Sequence, residues 1–116
     1  MGSDISAVIK RIRKFRDDRD WMQFHDPKNM AISIVIEATE LLEQFQWKSR
    51  AEAEEFVQYN GNPVEEEIAD IAIYLFELAD NLGIDLIDAM NSKIDKNSMK
   101  YPVHKAKGNA KKYDQL

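Results

Sequence analysis

Four acidic side chains in this sequence stand where a helical core would not place them. Glu37 and Glu40 are three residues apart, and so are Glu67 and Asp70. On an α-helix that spacing puts both members of a pair on one side, one turn apart. Two antiparallel helices presenting such pairs to each other would gather four carboxylates, and like charges at that range do not all stay ionised without a cation. Mg²⁺ suits the role because it is a hard ion that takes oxygen ligands and keeps waters and substrate phosphates in its shell; Mn²⁺ is the alternative. The neighbours sharpen the reading. Glu37 follows Ile34-Val35-Ile36, well past the helix start and beyond the reach of its dipole, and Asp70 is set in Ile68-Ala69-Asp70-Ile71-Ala72. Glu65 and Glu66, by contrast, fall in a first helical turn where the dipole favours acids, and Glu54 and Glu55 read as solvated. Glu43, one turn beyond Glu40, is either an auxiliary ligand or base, or an exposed position.

The chain that must position these groups has 116 residues. That is one domain by length, able to bury roughly 65% of its unfolded surface. With 44% apolar and 32% charged residues it has a globular composition. It contains no cysteine, which excludes disulfides, thiolate zinc sites and cysteine nucleophiles, so a metal here is held mainly by oxygen. Neither a membrane span nor a signal peptide is expected, and the reading is cytoplasmic. The net charge of −5 is unevenly spread: the segment from Lys93 onward carries +5, and the residues before it −10. Such an acidic body repels bare nucleic acid.

Hydrophobic periodicity is helical almost throughout, so the expected class is all-α, a four-helix bundle with a short extra helix. Ile5, Val8, Ile9, Ile12 and Phe15 define a helix over Asp4–Arg19. Asp26-Pro27 opens a second, running to about Trp47. Ser49 with Glu52 forms a capping-box pattern for a short helix through Val57. Asn62, Pro63 and Glu65 repeat the start signal for a helix that ends at Gly83. A last helix runs from about Asp85 to Ser98, with Leu86, Ile87, Met90 and Ile94 inward. Residues 1–100 are then the domain and 101–116 an extended basic tail. Two helices are apolar on more than one face: Ile32, Ile34, Val35 and Ile36 surround one, and Ile73 and Phe76 lie off the main stripe of the other. Four short helices struggle to bury so much, so a second copy of the chain is expected to cover the excess face.

Trp21 and Trp47 sit at expected helix ends, where they either pack or stack on a nucleobase. Tyr74 lies one turn beyond Asp70 on the same side. His25 alone would be a capping or loop residue. Lys93 and Asn97, four apart, form a polar stripe that is either solvated or a ligand contact.

These residues together carry a resemblance. Glu37-x-x-Glu40 followed by Glu67-x-x-Asp70 resembles the paired motif of the all-α MazG-like nucleoside triphosphate pyrophosphohydrolases. Asp20-Trp21-Met22-Gln23-Phe24-His25, Leu42-Glu43-Gln44-Phe45-Gln46-Trp47, Ile73-Tyr74-Leu75, Ser92-Lys93-Ile94-Asp95-Lys96-Asn97 and Tyr101-Pro102-Val103-His104 are similar to the dCTP pyrophosphatase branch. Thr39 departs from the Gly often found there, and Lys100 from an Arg. The resemblance implies cleavage of a nucleoside triphosphate between the α and β phosphates, on dCTP or a modified dCTP, in nucleotide pool sanitation; other (d)NTPs, or a non-catalytic helical module, are the alternatives. It implies metal held by Glu37, Glu40, Glu67 and Asp70, and beside such a site Glu43 is expected to orient water. It places Trp21, His25, Trp47 and Tyr74 around the nucleoside, partly from neighbouring subunits of a tetramer, and Lys93, Asn97, Lys100 and Tyr101 near phosphates or sugar.

Overall fold

A computed structural model describes residues 4–59 and 61–116, and of Asn62 the backbone alone. The described residues are helical, with no strand among them. The elements are α1 (Ile5–Asp18), a 3₁₀ turn (Met22–Phe24), α2 (Pro27–Glu43), α3 (Arg50–Tyr59), α4 (Gly61–Asn81), α5 (Leu86–Lys100), the short α6 (Val103–Ala106) and a 3₁₀ turn (Tyr113–Gln115). They form two compact units, one ending at Leu82 and one running from Gly83 to Leu116. None of the described helices is long and apolar enough to cross a membrane.

Local chemistry sets most helix starts. Asp4 accepts from Ala7 N–H (2.7 Å), Asp26 from Asn29 N–H (2.9 Å) and Asp85 from Asp88 N–H (3.1 Å), each satisfying an orphan donor of the first turn. Pro27 occupies the first turn of α2, where its missing N–H costs nothing. At α3 the capping box is reciprocal, Ser49 N–H donating to Glu52 Oε1 (2.9 Å) and Glu52 N–H to Ser49 Oγ (3.2 Å). Gly83 adopts left-handed backbone (φ 69°) just past α4, as expected.

Several boundaries differ from expectation. α2 stops at Glu43, a turn before Trp47, because the chain turns on Gln44–Trp47, with Phe45 N–H donating to Leu42 O and Lys48 N–H to Phe45 O (2.9 Å each). α4 begins at Gly61, so Asn62 lies inside the helix and not at its cap; its side chain lies outside the described residues. The tail is not simply extended, since 103–106 and 113–115 are helical. Tyr113 meets Tyr101 edge-to-face at 6.2 Å, and Lys100 lies over the Tyr113 ring. Ile87, Met90 and Ile94 are exposed, not inward, so apolar periodicity in α5 marks a face the single chain leaves open.

In the first unit α4 packs along α2 and also against α1 and α3. Gln44 meets Pro63 O, Glu37 meets Glu67, Ser33 meets Tyr74 and His25 meets Glu77, so α2 and α4 run antiparallel. Fully enclosed apolar side chains are scarce. Met30 is 0% exposed and Ile12 and Ala79 are buried, yet Val35 is 64% exposed and Ile32, Ile36 and Ile68 are open as well. Arg13 ties α1 to α4 by a two-pronged contact with Asp80 (Nε to Oδ2, 2.7 Å), which holds the Asp80 carboxyl below the usual range.

The end of α1 has a specific geometry. Trp21 N–H donates to Arg16 O and Asp20 N–H to Asp17 O (both 3.0 Å), with Asp20 in the left-handed region at φ 55°. This is a Schellman motif using Asp where Gly is usual, and the accompanying hydrophobic contact is Phe15 on Trp21, edge-to-face at 5.7 Å. A backbone device therefore aims the Trp21 ring. Asp20→Val, which cannot adopt that φ cheaply, is expected to lower unfolding free energy by about 1–2 kcal/mol in urea titration, while Asp20→Gly stays within about 1 kcal/mol of the native chain.

Candidate metal and nucleotide site

Antiparallel packing gives the acid motif its geometry. Glu37, Glu67 and Asp70 each present one carboxylate oxygen such that the three lie within 4.8 Å of one another. Glu37 and Glu67 are half-buried and Asp70 is exposed. Glu40, one turn from Glu37, is outside this trio but near enough for its carboxylate to raise the pKa of both Glu37 and Glu67.

The electrostatics record the cost of this meeting. Burial first, then hydrogen bonding with Glu67 and Glu40 and the charges of Glu40 and Asp70, push Glu37 up to about 7. Glu67 is raised by burial and by Glu40 and Asp70. Glu37 Oε2 and Glu67 Oε2 are buried and accept no hydrogen bond from an N–H or hydroxyl of the described residues. Buried acceptors left unpaired are expensive, and a hard divalent cation would satisfy both at once. An all-oxygen donor set with no cysteine suits such a cation better than zinc.

Beside the acids opens a cavity of about 550 Å³. Glu37 and Asp70 form part of its wall, Trp21, His25 and Tyr74 another part, and Val8, Ile12 and Ile73 give it apolar surface. The aromatic wall is contiguous, with His25 6.3 Å from Trp21 and 6.4 Å from Tyr74 between ring centroids. Burial and the charges of Glu37 and Asp70 hold the Tyr74 phenol above its ordinary pKa. The arrangement is a chamber whose wall combines acids, aromatic rings and apolar side chains.

Of the residues singled out in the sequence, Glu37, Glu67, Asp70, Trp21, His25 and Tyr74 come together here, with Glu40 adjacent. Trp47 does not join them; it is 88% exposed, beyond the end of α2. Glu43 is the last residue of α2, exposed and outside the acid trio. Lys93, Asn97, Lys100 and Tyr101 belong to the second unit, where Lys93 and Asn97 are exposed and Tyr101 N–H donates to Asn97 O at 2.8 Å. Thr39 turns its hydroxyl back onto Val35 O (2.9 Å), so it spends its polarity on its own helix.

Sequence reasoning missed Glu77, Asn81 and Arg16, which form a largely buried polar chain joined to His25. A signal existed. Glu67, Asp70, Tyr74, Glu77 and Asn81 are spaced 3, 4, 3 and 4 along α4, a heptad seam of polar groups on the side facing α2.

Because the folded chain holds the Glu37 proton up to about pH 7, against an ordinary 4.5, the native state binds more protons than the unfolded one in that window. Metal-free protein is therefore expected to lose thermal stability as pH rises from about 4.5 to about 7. Melting curves across that range should show the fall, Glu37→Gln should flatten it, and added Mg²⁺ should offset it most above neutrality.

The sequence profile of the MazG-like family matches residues 32–116. dCTP pyrophosphatase 1 of Rattus norvegicus is 42% identical over 111 residues, covering 93% of this chain and 65% of the relative. The Homo sapiens protein of the same name is 39% identical over the same shares. The chain thus spans just under two thirds of the curated relatives it matches. The crystal structure of a pyrophosphatase from Archaeoglobus fulgidus is 46% identical, with a TM-score of 0.81, covering 84% of this chain and 92% of that one. An antiparallel helix pair carrying the two acid motifs, together with a profile match over most of the sequence, places this chain in the MazG-like family.

Proposed function

We propose that the protein is a nucleoside triphosphate pyrophosphohydrolase that cleaves between the α and β phosphates of dCTP or a modified dCTP, releasing the monophosphate and pyrophosphate. The observation that carries this reading is the convergence of Glu37, Glu67 and Asp70, of which Glu37 and Asp70 line a chamber that Trp21, His25 and Tyr74 also line. The names of the similar proteins, dCTP pyrophosphatase 1 and a pyrophosphatase, support the same reaction class and the cytosine base. In this reading the enzyme sanitises the nucleotide pool of the cytoplasm.

Glu37, Glu67 and Asp70, with Glu40 from the adjoining turn, would hold Mg²⁺ or Mn²⁺. The ion when bound supplies charge to offset the triphosphate and lowers the pKa of a coordinated water. The carboxylates act as a scaffold and not as nucleophiles. The chain's own work is placement: Trp21 and Tyr74 offer ring faces to the base, and the apolar surface of Val8, Ile12 and Ile73 excludes water beside it. Glu43 is assigned to orienting water, and Lys93, Asn97, Lys100 and Tyr101 to the phosphates or sugar, on the strength of the sequence motifs.

The open apolar side chains of α2 and α4 support self-association, since a monomer seldom exposes a broad apolar patch. We assign the Ile32, Val35, Ile36 and Ile68 surface to contact between copies in a homotetramer, and exposed Trp47 to a neighbouring subunit's nucleoside pocket.

Two measurements test this. Pyrophosphate release from a panel of nucleoside triphosphates at fixed Mg²⁺ should be fastest with dCTP or a modified dCTP, and Asp70→Asn should reduce it by about a hundredfold or more with the circular dichroism spectrum unchanged; near-native turnover would remove the site from the proposal. Light scattering at micromolar concentration should show an oligomer, and Val35→Glu should shift it toward monomer.

A further inference from the structure

Joined to His25 runs a polar chain that the hydrolysis scheme above leaves unused. Arg16, buried on α1, donates from Nη1 to Asn81 Oδ1 (2.9 Å). Asn81 Nδ2 donates to Glu77 Oε2 (3.1 Å), and His25 Nδ1 donates to that same oxygen (2.7 Å). Glu77 is only 4% exposed. A carboxyl so deep is costly unless its oxygens are satisfied, and here it takes two donors while standing outside the acid trio. It nevertheless lines the same cavity as Glu37 and Asp70.

The effect of Glu77 falls on His25. With Nδ1–H committed to the carboxyl, the neutral ring has its tautomer set and its lone pair left on Nε2. Nε2 has no hydrogen-bond partner among the described residues, yet it is not sealed away as the unpaired oxygens of Glu37 and Glu67 are. The His25 ring is tilted 52° to Trp21 and 68° to Tyr74. A base lying flat on either neighbour therefore cannot also stack flat on His25, which leaves the in-plane Nε2 as the contact the imidazole can offer it.

We infer that Glu77 is a positioning residue which, held by Asn81 and Arg16, fixes His25 so that Nε2 accepts a hydrogen bond from an amino group on the base edge. The ligand class is an amino-bearing nucleobase, as opposed to one with a carbonyl at the same position. A carbonyl would set acceptor against acceptor, and a site built for a donor rejects an analogue that lacks it. The inference rests on the nucleotide-hydrolase reading for its ligand, but the state of the His25 ring does not.

The test compares dCTP with dUTP in the native protein, Glu77→Ala, Glu77→Gln, His25→Ala and the double alanine variant, alongside imidazole ¹⁵N shifts of His25 without nucleotide. The native ring should carry its proton on Nδ1, and Glu77→Ala should abolish that preference. The same change should cut the dCTP-over-dUTP ratio of kcat/KM by about tenfold or more, mainly through KM for dCTP. Glu77→Gln, whose Oε1 still accepts from Nδ1–H, should restore most of it. His25→Ala should lose as much as Glu77→Ala, and the double variant no more than either. A native ring protonated on Nε2, equal losses for both nucleotides, or additive losses in the double variant would each overturn the proposal; because His25→Ala leaves Glu77 in place, the comparison survives if Glu77→Ala does not fold. Absence of turnover with every nucleotide in the native protein would instead strike the hydrolase reading, and the ring shifts with equilibrium binding of dCTP and dUTP would still decide the role of Glu77.

Discussion

Carboxylates brought together between two helices set the electrostatics of the site. Glu37 and Glu67 each lose hydration and gain acidic neighbours, and each keeps a buried oxygen that no N–H or hydroxyl of the described residues reaches. A helix pair seeking only stability would place aliphatic side chains there, since a well-packed apolar substitute is often at least as stable as buried ionic groups. The unfavourable arrangement is tolerated because the rest of the first unit fixes it. Arg13 clamps α1 to α4, Gln44 reaches from the end of α2 to the start of α4, and Met30 is enclosed at the beginning of α2. A cation would relieve the acids, so the site is strained in the sense that binding removes a penalty the fold already carries.

The aromatic half of the chamber is secured by different means. Trp21 is aimed by backbone hydrogen bonds at the end of α1, Tyr74 by its place on the polar seam of α4, and His25 by Glu77. Rings held from the end of α1 and from the seam of α4 present a preformed surface, and a preformed surface spends less binding energy on ordering itself. The flanking helix faces are another matter. Apolar residues on α2 and α4 stand open to solvent, so in this chain the site is better specified than the core around it.

Much of this architecture is written locally. Caps at Asp4, Asp26, Ser49 and Asp85 are short-range hydrogen bonds between a side chain and a backbone N–H three residues on, and such signals survive without tertiary knowledge. The acid motif was legible for the same reason, because spacing on a helix fixes the side a residue occupies. Long-range partners were not. Nothing near Glu77 in sequence announces His25, which lies 52 residues away. The end of α2 at Glu43 depended on a turn without Gly or Pro, so the periodicity ran on past it. The apolar run of α5 misled because period reports a face, and a face does not say what covers it. Positive φ at Asp20 was hidden as well, since Asp enters that region less often than Gly.

The heptad spacing of polar groups along α4 also acts as a ruler. If α4 slid by one turn against α2, Glu37 would keep only one of its two acidic neighbours on α4, Ser33 would lose Tyr74, and the partner of His25 would pass out of reach. Each displaced group would be left unsatisfied in a partly dry interface, which penalises every wrong alignment more than the right one. Greasy helices alone, with isoleucine on several sides, would tolerate many registries. The polar seam makes one of them unique, and so the residues that burden the fold most also decide which fold it is.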